Sequence, residues 1–498
     1  MIDFRTCYLY LIIVFVALFA VFPLTDTDIW WHLACARKWV TTWTPVREPV
    51  VNVHEYFQQV VAIVYDVGGA PLLVAFKAIL WGLVFALFLR GVKCRNLMSS
   101  AIAVVVLFIF RYQLEIRPVL FSLLFLGIYW NVLPWLFRTR NEMGGLCAKR
   151  VAKPHNVVKT AGAAVLILAI QWLWCKFQGL YILGPIFAMT LLALEWGKSR
   201  GALLWRVAFV TLLFAMPLLH RDGLNLFLYP FGLLDRLLGL SPSAAFFASE
   251  IAENRSPITL LLNCENVLQS SMMILLSLAG IVLAVRRLRH AETVWLLVTA
   301  VLALVAERNF VLFLPVFFAV GVKCWPRLCL CKQSHDVRPS RLPNRLPPAA
   351  YRLLPTLLIA FTLGLWAKSL AFYDRSMVAY QRVPVAATQW MLENPHSGRL
   401  FNDDRAGGYL AFMNPSDSTF IDGRFILKTA EFFEKYLRYA ESPQTFLHDA
   451  DSLDIDRVVL PLRYYARWDK LLETLDSSEK WHVAYRDSLF AVMDRTEH

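Results

Sequence analysis

The sequence predicts a polytopic α-helical membrane protein of about 11 spans, ending in a small C-terminal α/β domain over residues 374–498. Three observations predict it. The chain of 498 residues is 58% hydrophobic and 17% charged, with a mean hydropathy of +0.50; soluble domains are nearer ~45–50% apolar. Its apolar residues gather in runs that approach the ~20 needed to cross a bilayer. Those runs stop at residue 373, and the charge balance changes there. Residues 374–498 hold 15 Lys/Arg against 20 Asp/Glu, net −5, whereas residues 1–373 hold 35 against 17, net +18.

The candidate spans are 7–24, 70–90, 97–110, 118–137, 160–176, 179–196, 203–219, 268–285, 292–306, 309–325 and 353–373. The first is read as an uncleaved span, because only Arg5 precedes it and no small-x-small cleavage site follows. Loop charge gives the orientation. Basic residues collect after every second span: Arg90, Lys93 and Arg95; Arg138 through Lys159; Lys198, Arg200 and Arg206; Arg286, Arg287 and Arg289; and Lys323 through Arg352. All of these fall on one side if eleven spans are counted from a cytoplasmic N-terminus. The basic surplus is thus read as membrane anchoring, and nucleic acid is not an expected partner. The expected location is the inner membrane of the cell, with the C-terminal domain extracytoplasmic. Segments 25–69 and 220–267, with the tail, are the extracytoplasmic material from which a large outward-facing site is built.

Few ionisable residues interrupt the spans. Lys77 and Glu195 are placed near span ends, within snorkelling reach of headgroups. With no visible inverted repeat, this argues against a transporter. None of the nine cysteines lies in the tail, which is therefore not a disulfide scaffold. Cys324, Cys329 and Cys331 lack a fourth ligand and read as plain loop and span cysteines rather than a zinc site.

In the tail, 399–402, 418–421, 456–461 and 481–493 read as strands, and 430–440 and 466–476 as helices. Gly407-Gly408 and Asp422-Gly423 read as turns. The alternation predicts a short parallel or mixed sheet flanked by helices.

The densest polar set opens the first outward loop, in TDTDIWWHLACARKWV. Ile29, Trp30, Leu33, Ala34, Arg37 and Val40 recur at helical spacing, which predicts an amphipathic helix at the membrane surface with Trp30, Trp31 and Trp39 at headgroup level. Asp26 and Asp28 are candidates for catalysis. Carboxylates one residue apart either share a divalent cation, Mg or Mn, with Asp28 a ligand, or divide the duties of base and orienter. Helix capping explains the same residues. Farther on, His54 and Glu55 in NVHEYF are adjacent, not an i, i+4 metal pair; either serves as a base or substrate ligand, or simply starts a helix. Arg117 in EIRPVLFS and Arg308 in AERNFVLF stand at outward span ends, where guanidinium groups suit a lipid phosphate or snorkel to headgroups. Asn402, Asp422 and Arg424 fall at the C-terminal ends of two predicted strands, an edge that ligands favour, although turn chemistry also accounts for Asp422.

Taken in order, these segments resemble a family of bacterial polytopic membrane proteins related to the GT-C superfamily of glycosyltransferases. The resemblance rests on Asp26-Thr27-Asp28-Ile29-Trp30-Trp31-His32-Leu33, Asn52-Val53-His54-Glu55, Arg117-Pro118, Arg308-Asn309, Phe401-Asn402, Gly407-Gly408-Tyr409-Leu410 and Ile421-Asp422-Gly423-Arg424, and runs nearly end to end. It implies a GT-C-like fold and transfer of a sugar from a polyprenyl-phosphate donor to an envelope acceptor on the outer face. It implies Asp26 or Asp28 as catalytic base, in some members with a divalent metal, and Glu55 as a further catalytic candidate. His32, His54, Arg117, Arg308, Asn402, Asp422 and Arg424 are the implied substrate contacts. The sequence departs from the family at Trp174-Cys175-Lys176-Phe177-Gln178-Gly179, where Lys176 and Gln178 replace an expected Asn and His; Lys176 is placed to take over a phosphate contact. Membrane lipids and a polyprenyl-phosphate-linked sugar are the expected partners. A non-catalytic component of envelope polysaccharide or glycolipid assembly, binding the same lipid-linked substrate, is the alternative reading.

Overall fold

The computed structural model describes residues 4–46, 51–92, 97–137, 154–194, 200–238, 241–286, 290–329, 350–424, 427–463 and 466–496. The chain divides into two compact units. Residues 1–22, 75–238 and 248–373 form a membrane unit, and residues 23–74, 239–247 and 374–498 form a tail unit. The first outward loop thus shares a compact unit with the C-terminal tail.

In the membrane unit, helices run through the expected apolar segments. A backbone in hydrocarbon must satisfy its own hydrogen bonds, so even the β-branched run in Leu97–Ile109 is helical. Among the described residues, five helices are long and apolar enough to cross a membrane. They are Glu55–Phe88, Pro118–Phe137, Lys159–Phe177, Val267–Val285 and Leu353–Ala371. A sixth counts if Leu203–Leu219 and Gly223–Leu234, bent by 110°, form one span. Leu9–Phe19, Leu97–Ile109, Gly179–Leu194 and Ala291–Val305 are shorter apolar helices. The chain is a multi-pass membrane protein.

Helix Glu55–Phe88 begins well before the expected boundary at residue 70. It breaks at Gly68 and Gly69, the latter at φ +63°, just before Pro71. Positive φ suits glycine, and proline offers no N–H to continue the ladder. Lys77 corrects an expectation. It does not snorkel: it is fully buried, its Nζ 3.4 Å from the Phe22 ring centroid, 3.2 Å from the Phe22 carbonyl and 3.6 Å from Glu115 Oε2. These contacts give the buried amine hydrogen-bonding and aromatic partners inside the span. Glu195, Lys93, Arg95, Arg138 and Cys331 lie outside the described residues, as do the side chains of Lys323, Cys324 and Cys329.

The tail unit is a three-layer α/β structure. Its sheet has the order β1-β2-β4-β3, with β1 Arg399–Asn402, β2 Ile455–Pro461, β3 Trp481–Arg486 and β4 Phe490–Arg495. β1 runs parallel to β2, and β4 is antiparallel to both β2 and β3. Successive residues face opposite sides. Phe401, Val458, Leu460 and Met493 meet Tyr436, Phe446, Trp468 and Leu471 on one face. Leu400, Val459, Phe490 and Val492 meet Ala387, Met391 and Leu410 on the other. The expected helices are present as Ala430–Glu441 and Asp469–Asp476, joined by Val385–Glu393, Asp404–Met413 and Pro443–Ser452.

Three expectations for the tail are corrected. Segment 481–493 is a hairpin rather than one strand, because Asp487 Oδ1 accepts the N–H groups of Leu489 and Phe490 and turns the chain. Segment 418–421 is not a sheet strand and makes only an isolated bridge, Thr42 with Thr419. Gly407-Gly408 is not a turn but lies inside helix Asp404–Met413, which Asp403 caps through the Ala406 N–H. The glycines serve close approach. A Cβ on Gly407 would fall 1.9 Å from the Ile421 carbonyl oxygen, and one on Gly408 2.7 Å from the Trp31 nitrogen. Gly407→Ala is therefore expected to destabilise the tail unit by about 3 kcal/mol or more, since overpacking against backbone has no soft neighbour to yield. Chemical unfolding of the purified chain measures this; a loss below about 1 kcal/mol would contradict the packing.

Candidate functional site

The first group of candidates lies in the tail unit, around helix Asp28–Arg37. Asp26 is buried, and its Oδ1 accepts the Asp28 N–H at 3.2 Å, so it caps the helix start in a short side-chain turn. Asp28 is half-buried and packs on the tail: a Cβ on Gly423 would lie 2.6 Å from its Oδ1. Trp30 is fully buried, with its ring edge-on to Tyr65 at 6.0 Å and to Tyr409 at 4.8 Å. The headgroup placement expected of Trp30 and Trp31 is thus replaced by burial against the unit's own aromatic side chains.

His32 and His54 come together, with ring centroids 5.4 Å apart, His32 edge-on to Phe57 at 4.7 Å and Trp31 at 6.3 Å from His54. The Asn52 side chain accepts the His54 N–H and donates to Gln58. This fixes the start of helix Glu55–Phe88, whose first residue, Glu55, is exposed.

Asn402, Asp422 and Arg424 are also here, and the fold uses each of them. The Asn402 amide donates to the carbonyls of Asp403 and Ile421, and its oxygen accepts the Phe420 N–H. Arg424 pairs with Asp422 at 2.6 Å, and donates to the Trp39 carbonyl and the Thr41 hydroxyl. Thr41 in turn donates to Asp422. Lys428, unnoticed in the sequence, donates to the hydroxyls of Thr42 and Thr44 and the carbonyls of Thr44 and Pro45. These residues clasp segment 39–45 of the first loop. Burial would raise the Asp422 carboxyl, but the adjacent Arg424 outweighs it and holds it below the usual range. Burial, only partly offset by Asp422, takes Lys428 down to about 8.

Elsewhere in the tail unit, His396 stands between two carboxylates, Nδ1 at 2.5 Å from Asp456 and Nε2 at 2.9 Å from Asp417. Burial lowers the imidazolium pKa, but the two aspartates outweigh it and raise it to about 9. The folded value exceeds the unfolded one, so this contribution to stability is complete below pH 6.5 and lost as pH rises through about 9. The wild-type melting temperature is expected to fall, relative to His396→Asn, across that window. Parallel melting curves would contradict the charged clamp.

The second group lies in the membrane unit, at loop ends. Arg117 makes two bonds of 2.7 Å to Glu253, in the planar fork geometry suited to carboxylate or phosphate. Burial would raise the Glu253 carboxyl, but Arg117 and Arg308 outweigh it and hold it below the usual range. Burial lowers Arg308 more than Glu253 raises it. Glu307 accepts a bond from Tyr112, and its N–H donates to the Arg255 carbonyl. The structure thus brings Arg117 and Arg308 together around one carboxylate. The Glu115 carbonyl accepts from Trp81 Nε1, fixing the chain just before Arg117, and its side chain faces Lys77.

Lys176 is paired instead with Asp222, and the Gln178 side chain accepts the Leu180 N–H. Sequence reasoning missed Glu253, Glu115 and Asp222. Their signal was sign: each is an acidic residue in a chain whose candidate cations needed partners. Among the described residues, no three His, Cys, Asp or Glu side chains gather to hold a metal ion.

No known family matches the sequence, and no curated protein does. Solved structures do resemble it. The archaeal oligosaccharyltransferase AglB from Archaeoglobus fulgidus, in complex with an inhibitory peptide and a dolichol-phosphate, has a TM-score of 0.54 at 14% identity, over 92% of this chain and 70% of that one. The Archaeoglobus fulgidus oligosaccharyltransferase in complex with Zn and sulfate has a TM-score of 0.51 at 13% identity, over 90% of this chain and 68% of that one. ArnT from Cupriavidus metallidurans, bound to undecaprenyl phosphate, has a TM-score of 0.47 at 13% identity, over 98% of both chains, too slight a likeness to argue from. The chain thus shares the fold of the archaeal oligosaccharyltransferase over most of its length, as the resemblance implied.

Proposed function

We propose that this chain is a GT-C glycosyltransferase that moves a sugar from a polyprenyl-phosphate donor to an envelope acceptor on the extracytoplasmic face. It would work in the inner membrane with its N-terminus inside and its tail outside. The observation that carries the reading is the convergence of Arg117 and Arg308 on Glu253 at loop ends of the membrane unit. Arg117 forks onto the Glu253 carboxylate as a guanidinium forks onto phosphate oxygens, and Arg308 adds its charge beside the Glu253 and Glu307 pair. In the proposed step, Asp28 takes the proton of the acceptor hydroxyl as that oxygen bonds to C1 of the sugar. The bond from C1 to the phosphate oxygen breaks, the phosphate leaves with the electron pair, and the configuration at C1 inverts. The fold supports this class of chemistry without identifying sugar or acceptor.

One observation favours the second reading, a non-catalytic subunit that binds lipid-linked sugar. Asp26 caps a helix and Asp28 packs on Gly423, so both carboxylates have structural work.

Binding tests the shared part of both readings. The chain in lipid nanodiscs is expected to retain polyprenyl phosphate. Arg308→Gln should weaken retention about 10- to 100-fold, the effect of a charge-assisted hydrogen bond of ~1.5–3 kcal/mol. Undiminished retention would remove Arg308 from the phosphate role.

A further inference from the structure

We propose that helix Gly223–Leu238 lies in the plane of the membrane, with its outward face resting on the acyl chains of the lipid leaflet. The chain turns by 110° between Leu203–Leu219 and this helix, so the two do not run in one direction. The turn is polar. The His220 ring stacks on Trp172 at 4.7 Å, Arg221 is exposed, and Asp222 pairs with Lys176. Such groups belong at the level where hydrocarbon gives way to headgroups.

Beyond the turn, the helix has two apolar sides. One is packed: Leu226 is fully buried, its carbonyl accepts from the Tyr181 hydroxyl, and the Tyr229 ring would lie 2.5 Å from a Cβ on Gly179. The other is open. Leu224, Leu228 and Phe231 follow one another at i, i+4 and i+7 and are 62%, 47% and 60% exposed. No charged side chain is exposed on this helix from Gly223 to Leu234; Asn225 is its exposed polar residue there.

The occupant of this stripe follows from continuity. Leu218 and Leu219, which end the preceding helix and adjoin the turn, are 47% and 67% exposed. The stripe therefore continues the apolar surface at the end of helix Leu203–Leu219. An apolar face of this kind in water would be an aggregation liability. A helix that keeps its whole length at one level sits ~5–10 Å into the headgroup–acyl boundary.

The test uses the unmodified chain in lipid vesicles and three carbene reagents: a lipid with its diazirine near the glycerol, one with it at the acyl terminus, and a water-soluble diazirine. The shallow lipid probe is expected to label peptides covering 224–231 severalfold more than the terminal probe does. The middle of Val267–Val285 should show the opposite preference. Equal or stronger labelling of 224–231 by the terminal probe would mean that the helix dips into the bilayer, and would overturn the proposal. Predominant labelling by the water-soluble reagent would mean that the stripe faces solvent, and would overturn it as well.

Discussion

Replacing Asp28 by asparagine is expected to reduce sugar transfer by a factor of about 10²–10⁴, the range lost with a general base. The choice of asparagine matters. The Asp28 side chain packs against Gly423, so alanine would remove contact as well as charge. Asparagine keeps the shape and loses only the proton acceptor. Its structural cost is the lost interaction of a negative charge with the first turn of helix Asp28–Arg37, about 0.3–1 kcal/mol. Expression and retention of polyprenyl phosphate should stay at wild-type level. Asp26→Asn should cost less activity, because the Asp26 carboxylate is engaged by the Asp28 N–H, and an amide oxygen accepts that bond equally well. Initial rates measured on matched amounts of folded protein test this. A wild-type rate in the Asp28→Asn chain would remove the residue from catalysis.

Asp422→Ala is expected to destabilise the tail unit by about 3–5 kcal/mol, the cost of leaving one partner of a buried ion pair alone. Both side chains are nearly inaccessible, at 3% for Asp422 and 8% for Arg424. Without Asp422, the guanidinium keeps the Trp39 carbonyl and the Thr41 hydroxyl but has no counter-charge. Thr41 also loses its acceptor. Arg424→Met alone strands the carboxylate in the same way. The double variant removes both charges and should recover much of the loss, since apolar replacement of a buried pair is often close to neutral. Chemical unfolding of the four chains forms the cycle. Additive losses in the double variant would contradict a mutually dependent pair.

These two outcomes separate residues that the sequence presented alike. Asp28 and Asp422 both stand in motifs of the same resemblance, but Asp422 is absorbed by Arg424 and Thr41 in holding segment 39–45. The tail motifs are largely explained by this joining. Gly408 accommodates Trp31, Gly423 accommodates Asp28 and Trp31, and Asn402 holds Phe420 and Ile421. The motifs that carry the resemblance thus serve assembly of the unit.

The multi-pass helical character was legible because an apolar run of bilayer length has few other meanings. The sheet was legible at β1 and β2, where short β-branched or aromatic runs stand between turn residues. Helix Asp404–Met413 was not, because a glycine pair normally marks a turn; its reason is the Ile421 carbonyl and Trp31, which lie far off in the sequence. The β3–β4 turn was hidden for another reason: Asp487 makes it without glycine or proline. Lys77 was misjudged because snorkelling is the usual fate of a lysine near a span end, and its partners, Phe22 and Glu115, are set by tertiary packing. The grouping of Arg117 and Arg308 required Glu253, from a loop whose path no local pattern gives.

The proposed reaction breaks a bond between a sugar and a polyprenyl phosphate. The most direct measurement places the purified protein in vesicles with a polyprenyl-phosphate-linked sugar, radiolabelled on the sugar, and adds envelope glycolipid as acceptor. Label is expected to pass to the acceptor with one free polyprenyl phosphate released for each sugar transferred, and Asp28→Asn should suppress both. Retention of an intact lipid-linked sugar by the wild-type protein, bound but never cleaved with any envelope acceptor supplied, would contradict it and leave the chain as a binding component.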